Sequence, residues 1–280
     1  MASGSQTGTL LVVVRPRLLP ILFAILAFVP NAHAGPSANP KTLTITASAV
    51  PWLVVGSHLR ITGTVKPSSA GVGVTLQEQH DGGWHSLADK VVGSSGDFSF
   101  ITRPNRVGAK AYRVVTSKGT NFAGASARVP VRVLHWTYLG ANQAFYYVNP
   151  IAGDLSTQPI ASNGVRYEHP ISLDPGCYNS WGGSAWIDYP LQRQYERFTA
   201  TVGVGDAVPT TMTLTYSLIG AGKKLASGSV VAGQSRKINV SVEGVYRLRF
   251  MINVPDPTNS AGCSPTFPQV VFGDAQVLGP

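Results

Sequence analysis

Tyr195-Glu196-Arg197-Phe198, Val202-Gly203-Val204-Gly205-Asp206, Leu214-Thr215-Tyr216-Ser217-Leu218 and Gly220-Ala221-Gly222-Lys223 follow one another within thirty residues. Apolar residues recur at every second position in Leu214, Tyr216 and Leu218, and again in Ile238, Val240 and Val242 before Gly244. That period belongs to a strand with one buried face. Tyr246, Leu248, Phe250, Ile252 and Val254 then alternate with Arg247 and Arg249, which predicts a half-buried strand with one wet face. Gly273-Asp274-Ala275 closes the pattern near the chain end. Together these strands predict a β-sandwich over residues 136–280.

The preceding residues repeat the signal in shorter runs. Leu43, Ile45 and Ala47 share a face, as do Leu59, Ile61 and Gly63, then Val72, Val74 and Leu76. Trp84 to Val91, Phe98 with Phe100, Tyr112 with Val114, and Val129, Val131 and Val133 continue it. About seven short runs separated by Gly, Pro, Ser or Asn predict a second antiparallel sandwich over 41–135. Trp84 is expected to pack on this sheet and help fill its core. No window supports a long amphipathic helix, so the fold class is all-β.

Both halves resemble known families. The run from Tyr195 to Gly244 with Phe272-Gly273-Asp274-Ala275 is similar to the NPCBM/NEW2 family of carbohydrate-binding modules found on secreted glycosidases. That pattern has an Arg-Phe strand, a VGVDD strand end, a DGK hairpin, a V-V-G strand and a closing WADA. Here VGVDD is Val202-Gly203-Val204-Gly205-Asp206, and Tyr189 and Leu191 fit the family's Y-x-L step. The resemblance implies a jelly-roll sandwich that binds glycan. Residues 41–135 resemble bacterial Ig-like domains through Gly63-Thr64-Val65-Lys66-Pro67, Gly83-Trp84, Gly96-Asp97-Phe98 and Tyr112-Arg113-Val114. That implies a spacer without chemistry.

The first residues belong to neither half. Arg15 and Arg17, an apolar run from Leu18 to Val29, and Ala32-His33-Ala34 before Gly35 predict a secretory signal peptide over 1–34. Twelve apolar residues interrupted by Pro20 are too few to span a bilayer, so no membrane insertion is expected. Residues 35–40, Gly-Pro-Ser-Ala-Asn-Pro, read as a linker. Export makes a disulfide between Cys177 and Cys263, the chain's two cysteines, the expected state.

Charge divides unevenly. Residues 41–135 carry eleven Lys/Arg against four Asp/Glu, whereas residues 136–280 carry nine of each. The basic surplus is dispersed along the first half; an exported protein of this pattern is not expected to bind nucleic acid.

No reaction is legible. The nine acids of the second half form no recognisable glycosidase pair, and neither His135 nor His169 accompanies a Gly-x-Ser-x-Gly elbow. There is no dinucleotide fingerprint or phosphate-cradling loop. Asp206 and Asp154, with backbone carbonyls, leave a structural calcium open as the only cofactor. Sugar binding asks for flat aromatic faces beside convergent polar groups. Both occur between Tyr167 and Tyr189. Trp181 before two glycines, Asn179, Trp186, Asp188, Tyr189, His169 and Tyr167 are the candidate site, with Trp186 and Tyr189 equally readable as core. The expectation is a secreted, monomeric, non-catalytic protein whose partner is a polysaccharide or cell-wall glycan. A structural or adhesive surface protein and an unrecognised glycoside hydrolase are the alternatives.

Overall fold

A computed structural model of the chain describes residues 41–67, 70–117, 122–140, 146–147, 155–174, 184–207, 210–211, 213–253 and 268–280. The signal peptide and linker expected before residue 41 lie outside these. Every regular element among the described residues is a strand. The first half contributes β1 (Lys41–Thr42), β2 (Thr44–Ser48), β3 (Trp52–Val54), β4 (Leu59–Lys66), β5 (Gly73–His80), β6 (Gly83–Val91), β7 (Asp97–Thr102), β8 (Gly108–Thr116), β9 (Phe122–Ala123) and β10 (Ser126–Tyr138). The second contributes β11 (Tyr146–Tyr147), β12 (Leu155–Ser156), β13 (Ile160–Ser162), β14 (Val165–Tyr167), β15 (Ile171–Leu173), β16 (Ser184–Pro190), β17 (Arg197–Val204), β18 (Leu214–Gly220), β19 (Lys223–Val230), β20 (Ser235–Ser241), β21 (Arg247–Asn253) and β22 (Val270–Gly279).

The alternation read from the sequence sets the layers. In the first half, β2-β4-β7 form one sheet and β10-β8-β5-β6, with β3 added parallel to β10, form the other. Leu59, Ile61, Phe100, Tyr112, Val114 and Val133 fill the space between them, all at 1% exposure or less. Trp84 does not join this core. It lies on the outer side of the sheet, with Arg113 4.3 Å and Arg128 5.7 Å from its ring. Phe98, Phe100 and Tyr112 already supply the bulk a core of this size needs.

The second half is a sandwich of β12-β15-β22-β17-β20 against β11-β16-β21-β18-β19. Phe250 sits at its centre, edge-on to Tyr189, Phe198 and Phe272 at 5.4, 5.3 and 5.0 Å. Such edge-to-face packing adds to the area these rings bury. Leu248, Phe250 and Ile252 face inward as the alternation predicts, but Tyr246 is 57% exposed. It stands just before β21, on the turn from Gly244, where strand parity no longer applies.

The two halves have separate cores but share a sheet. β10 runs through residues 135 and 136, where the sequence placed a boundary. Its residues 126–133 pair with β8, and His135–Tyr138 pair with Gln276–Gly279 of β22. The Gly273-Asp274-Ala275 motif makes this possible. A bulge there, with Asp274 at φ 48°, offsets β22 against β17. Before the bulge β22 pairs with β15; beyond it, with β10. A Cβ on Gly273 would lie 2.3 Å from the ring of Tyr167, so the motif's glycine admits that ring.

Asp206, which ends the Val-Gly-Val-Gly-Asp motif, is likewise structural. Its carboxylate accepts the N–H groups of Asn163 and Gly164 at 2.7 and 2.8 Å, the two left-handed residues of the β13–β14 hairpin turn. No cluster of three or more metal-ligating side chains occurs among the described residues. Asp154, its expected companion for calcium, lies outside them.

Candidate functional site

Parity along β16 separates core from site. Ala185, Ile187 and Tyr189 point inward, so Ser184, Trp186 and Asp188 take the outer face. Asp188 is nevertheless fully buried. A carboxylate removed from water must be paired and hydrogen-bonded, and register supplies the partner. Asp188 stands opposite Arg249 of β21. Arg249 donates from Nε and Nη2 at 2.8 and 3.0 Å, and Arg247 adds Nη1 at 3.3 Å. The forked geometry matches the carboxylate plane, and Asp188's hydrogen bonds raise the pKa of Arg249 above its ordinary value. The same guanidinium lies 3.7 Å over the ring of Trp186.

Asp188 and the two arginines border a cleft of about 410 Å³, lined also by Arg193, Ile219 and Tyr246, with Ala221, Gly222 and Gly244 at its turns. Its size falls within the range of small-ligand pockets. Ile219 pairs with Arg249 from β18, and Arg193 arrives on the turn between β16 and β17. Leu191 and Gln192 donate their N–H groups to the carbonyl of Tyr246, and Arg193 donates to that of Val245, at 2.9–3.0 Å. The turn and the Tyr246 segment are therefore one frame.

The comparisons with known proteins bear on this half. The family model described as "NPCBM/NEW2 domain" matches residues 139–263. That segment is an NPCBM/NEW2 domain. Among solved structures, a CBM51 from Clostridium perfringens GH95 in complex with methyl-galactose is similar at 18% identity and TM-score 0.38, over 51% of this chain and 99% of that one. The CBM36-1 domain of a multidomain xylanase from the hindgut metagenome of Trinervitermes trinervoides gives 8% identity and TM-score 0.29, over 52% and 98%. A SusE-like protein gives 12% and 0.25, over 84% and 96%. No curated protein matches the sequence.

The candidate residues of the NPCBM/NEW2 domain separate in space. Trp186 and Asp188 both engage the guanidinium of Arg249, and Asp188 lines the cleft. Tyr189 does not join them: it is fully buried against Phe250, its hydroxyl has no partner among the described residues, and burial raises its pKa. A ring enclosed in the core offers no face to a sugar. Tyr167, 7% exposed, is also a packing residue, covering Gly273. His169 stacks on Tyr138 at 4.1 Å, at the junction with the first half. Trp181, Asn179 and both cysteines lie outside the described residues. Sequence reasoning missed Arg193, Tyr246, Arg247 and Arg249 as cleft residues; for Arg247 and Arg249 the wet face of their strand was the one legible sign.

Proposed function

We propose that this chain is a secreted, non-catalytic glycan-binding protein. In this reading the NPCBM/NEW2 half, within residues 136–280, holds the sugar, and the sandwich over 41–135 is an Ig-like spacer behind a signal peptide (1–34) and linker (35–40). One observation carries the binding site: an exposed aromatic, Tyr246, and the guanidinium groups of Arg247 and Arg249 line a cleft of ligand size on that half. Asp188 acts by orienting the arginines, since three of its lone-pair sites are already taken. Tyr246, 57% exposed, offers the ring on which a pyranose face can lie. Trp181 and Asn179, a few residues before Ser184 at the start of β16, complete the proposed site. The monomer is its working form.

No helix among the described residues is long and apolar enough to cross a membrane. A glycan array probed with the secreted protein tests the proposal. Binding to a defined glycan, weakened about tenfold or more by Tyr246→Ala or Trp181→Ala with the melting temperature preserved, supports it. A protein that binds no glycan on an array of neutral and acidic sugars refutes it and favours the adhesive alternative.

A further inference from the structure

We propose that the cleft is built for an acidic sugar, whose carboxylate or sulfate lies against Arg193 and Arg247. This rests on the glycan-binding reading and names the sugar's chemical class.

The charge in the cleft is local. Residues 136–280 as a whole balance, nine bases to nine acids, yet the cleft walls carry three guanidinium groups and one carboxylate. Asp188 compensates Arg249, whose fork it engages with both oxygens. Arg247 lends it a single N–H at 3.3 Å, and its side chain remains 46% exposed. Arg193 is exposed and its side chain has no hydrogen bond or ion pair among the described residues. Two positive charges thus face one cleft with donors to spare, which suits an anion presenting two or more oxygens.

The backbone under Arg193 points the same way. Gln192 and Arg193 both have left-handed φ, 49° and 61°, and Gln194 N–H closes the turn onto Leu191 C=O at 2.9 Å. Side chains other than Gly, Asn and Asp occupy that region at a cost of about 1–2 kcal/mol each. The same domain turns its β13–β14 hairpin with Asn163-Gly164, the residues that suit this geometry. At the β18–β19 turn, which also borders the cleft, the left-handed pair is Ala221-Gly222; under Arg193 neither position is Gly, Asn or Asp. Three hydrogen bonds to the carbonyls of Tyr246 and Val245 hold the strained turn, so Arg193, Tyr246 and Arg247 keep fixed positions relative to one another. Strain maintained by surrounding structure is characteristic of ligand-holding segments.

Calorimetric titration of the full secreted chain with a uronic-acid oligosaccharide, its carboxyl-reduced counterpart and a sulfated oligosaccharide tests the inference. The expected result is tighter binding of an acidic sugar than of the reduced one, by about tenfold or more at low ionic strength, with the advantage shrinking as salt rises. The uronate and sulfate arms identify which anion the cleft takes. Arg193→Gln should abolish the acidic preference, while Arg193→Lys, which keeps the charge on the same turn, retains part of it. Equal affinity for acidic and reduced sugars, or an unchanged preference in a folded Arg193→Gln, overturns the inference and leaves glycan binding standing. Binding of none of the three overturns it too, and the array decides the broader reading separately.

Discussion

Arg132 and Glu196 form an ion pair across the seam between the two halves: the guanidinium on β10 donates to a carboxylate just before β17 that is only 8% exposed. Glu196 belongs to the Tyr-Glu-Arg-Phe run, and its own backbone is tied to Leu278 and Val242. The first sandwich therefore grips the second by shared strand pairing and by a fixed charge.

Removing either partner should loosen that seam. Arg132→Ala leaves a nearly buried carboxylate unpaired, but Arg132 itself is 52% exposed, so solvent screens much of the loss. A destabilisation of about 1 kcal/mol is expected, measured by denaturant unfolding. In a double-mutant cycle with Glu196→Gln the effects should be non-additive. Strict additivity would show that the pair does not couple the halves.

Gly273→Ala should destabilise the second half. The added methyl would meet three ring carbons of Tyr167 at 2.3–2.5 Å, and overpacking of this kind costs about 1–3 kcal/mol. Combining it with Tyr167→Val should cost less than the sum of the two changes. A melting temperature unmoved by Gly273→Ala would contradict the contact.

Alkaline pH should weaken the fold through its buried phenols. Tyr112 is fully buried, and desolvation pushes its pKa up to about 12, with Tyr189 also raised. An unfolded tyrosine ionises near pH ~10. The folded state therefore holds the proton more tightly, and the stability from the neutral phenol is complete below pH ~10. It declines as pH rises through 10 towards about 12. Phenolate absorbance should show some of the ten tyrosines ionising only as the protein unfolds. All ten titrating together in a folded protein would contradict this.

Cys177 and Cys263 should be found linked by non-reducing mass spectrometry of the secreted protein. They lie in segments that adjoin Ser184 and Asn253, and those two residues are directly paired at the end of the β16–β21 ladder. A loop of about 85 residues closed this way stabilises by roughly 4–5 kcal/mol in chain-entropy terms. Two alkylatable thiols would refute the bridge.

Much of the fold was legible because its signals are local. Alternation marked Leu248, Phe250 and Ile252 as inward, since it depends only on neighbouring residues. Tyr246 was misjudged because it stands on a turn, where strand parity does not apply, and Trp84 because of space in the core. Apolar character says that a side chain gains from burial, but which side chains the core has room for depends on all the others.

Sequence by itself determined an all-β chain, the likeness of its second half to the NPCBM/NEW2 family, and the aromatic-polar region around β16. Tertiary structure decided the division of labour between neighbours, Asp188 beside the cleft and Tyr189 in the core. It also brought Arg249 opposite Asp188 from 61 residues away and delivered Arg193 on a strained turn. The physical reason is that strand register is a collective choice. One residue of slip would exchange every inward and outward side chain, and no local pattern records which distant strand will be the partner.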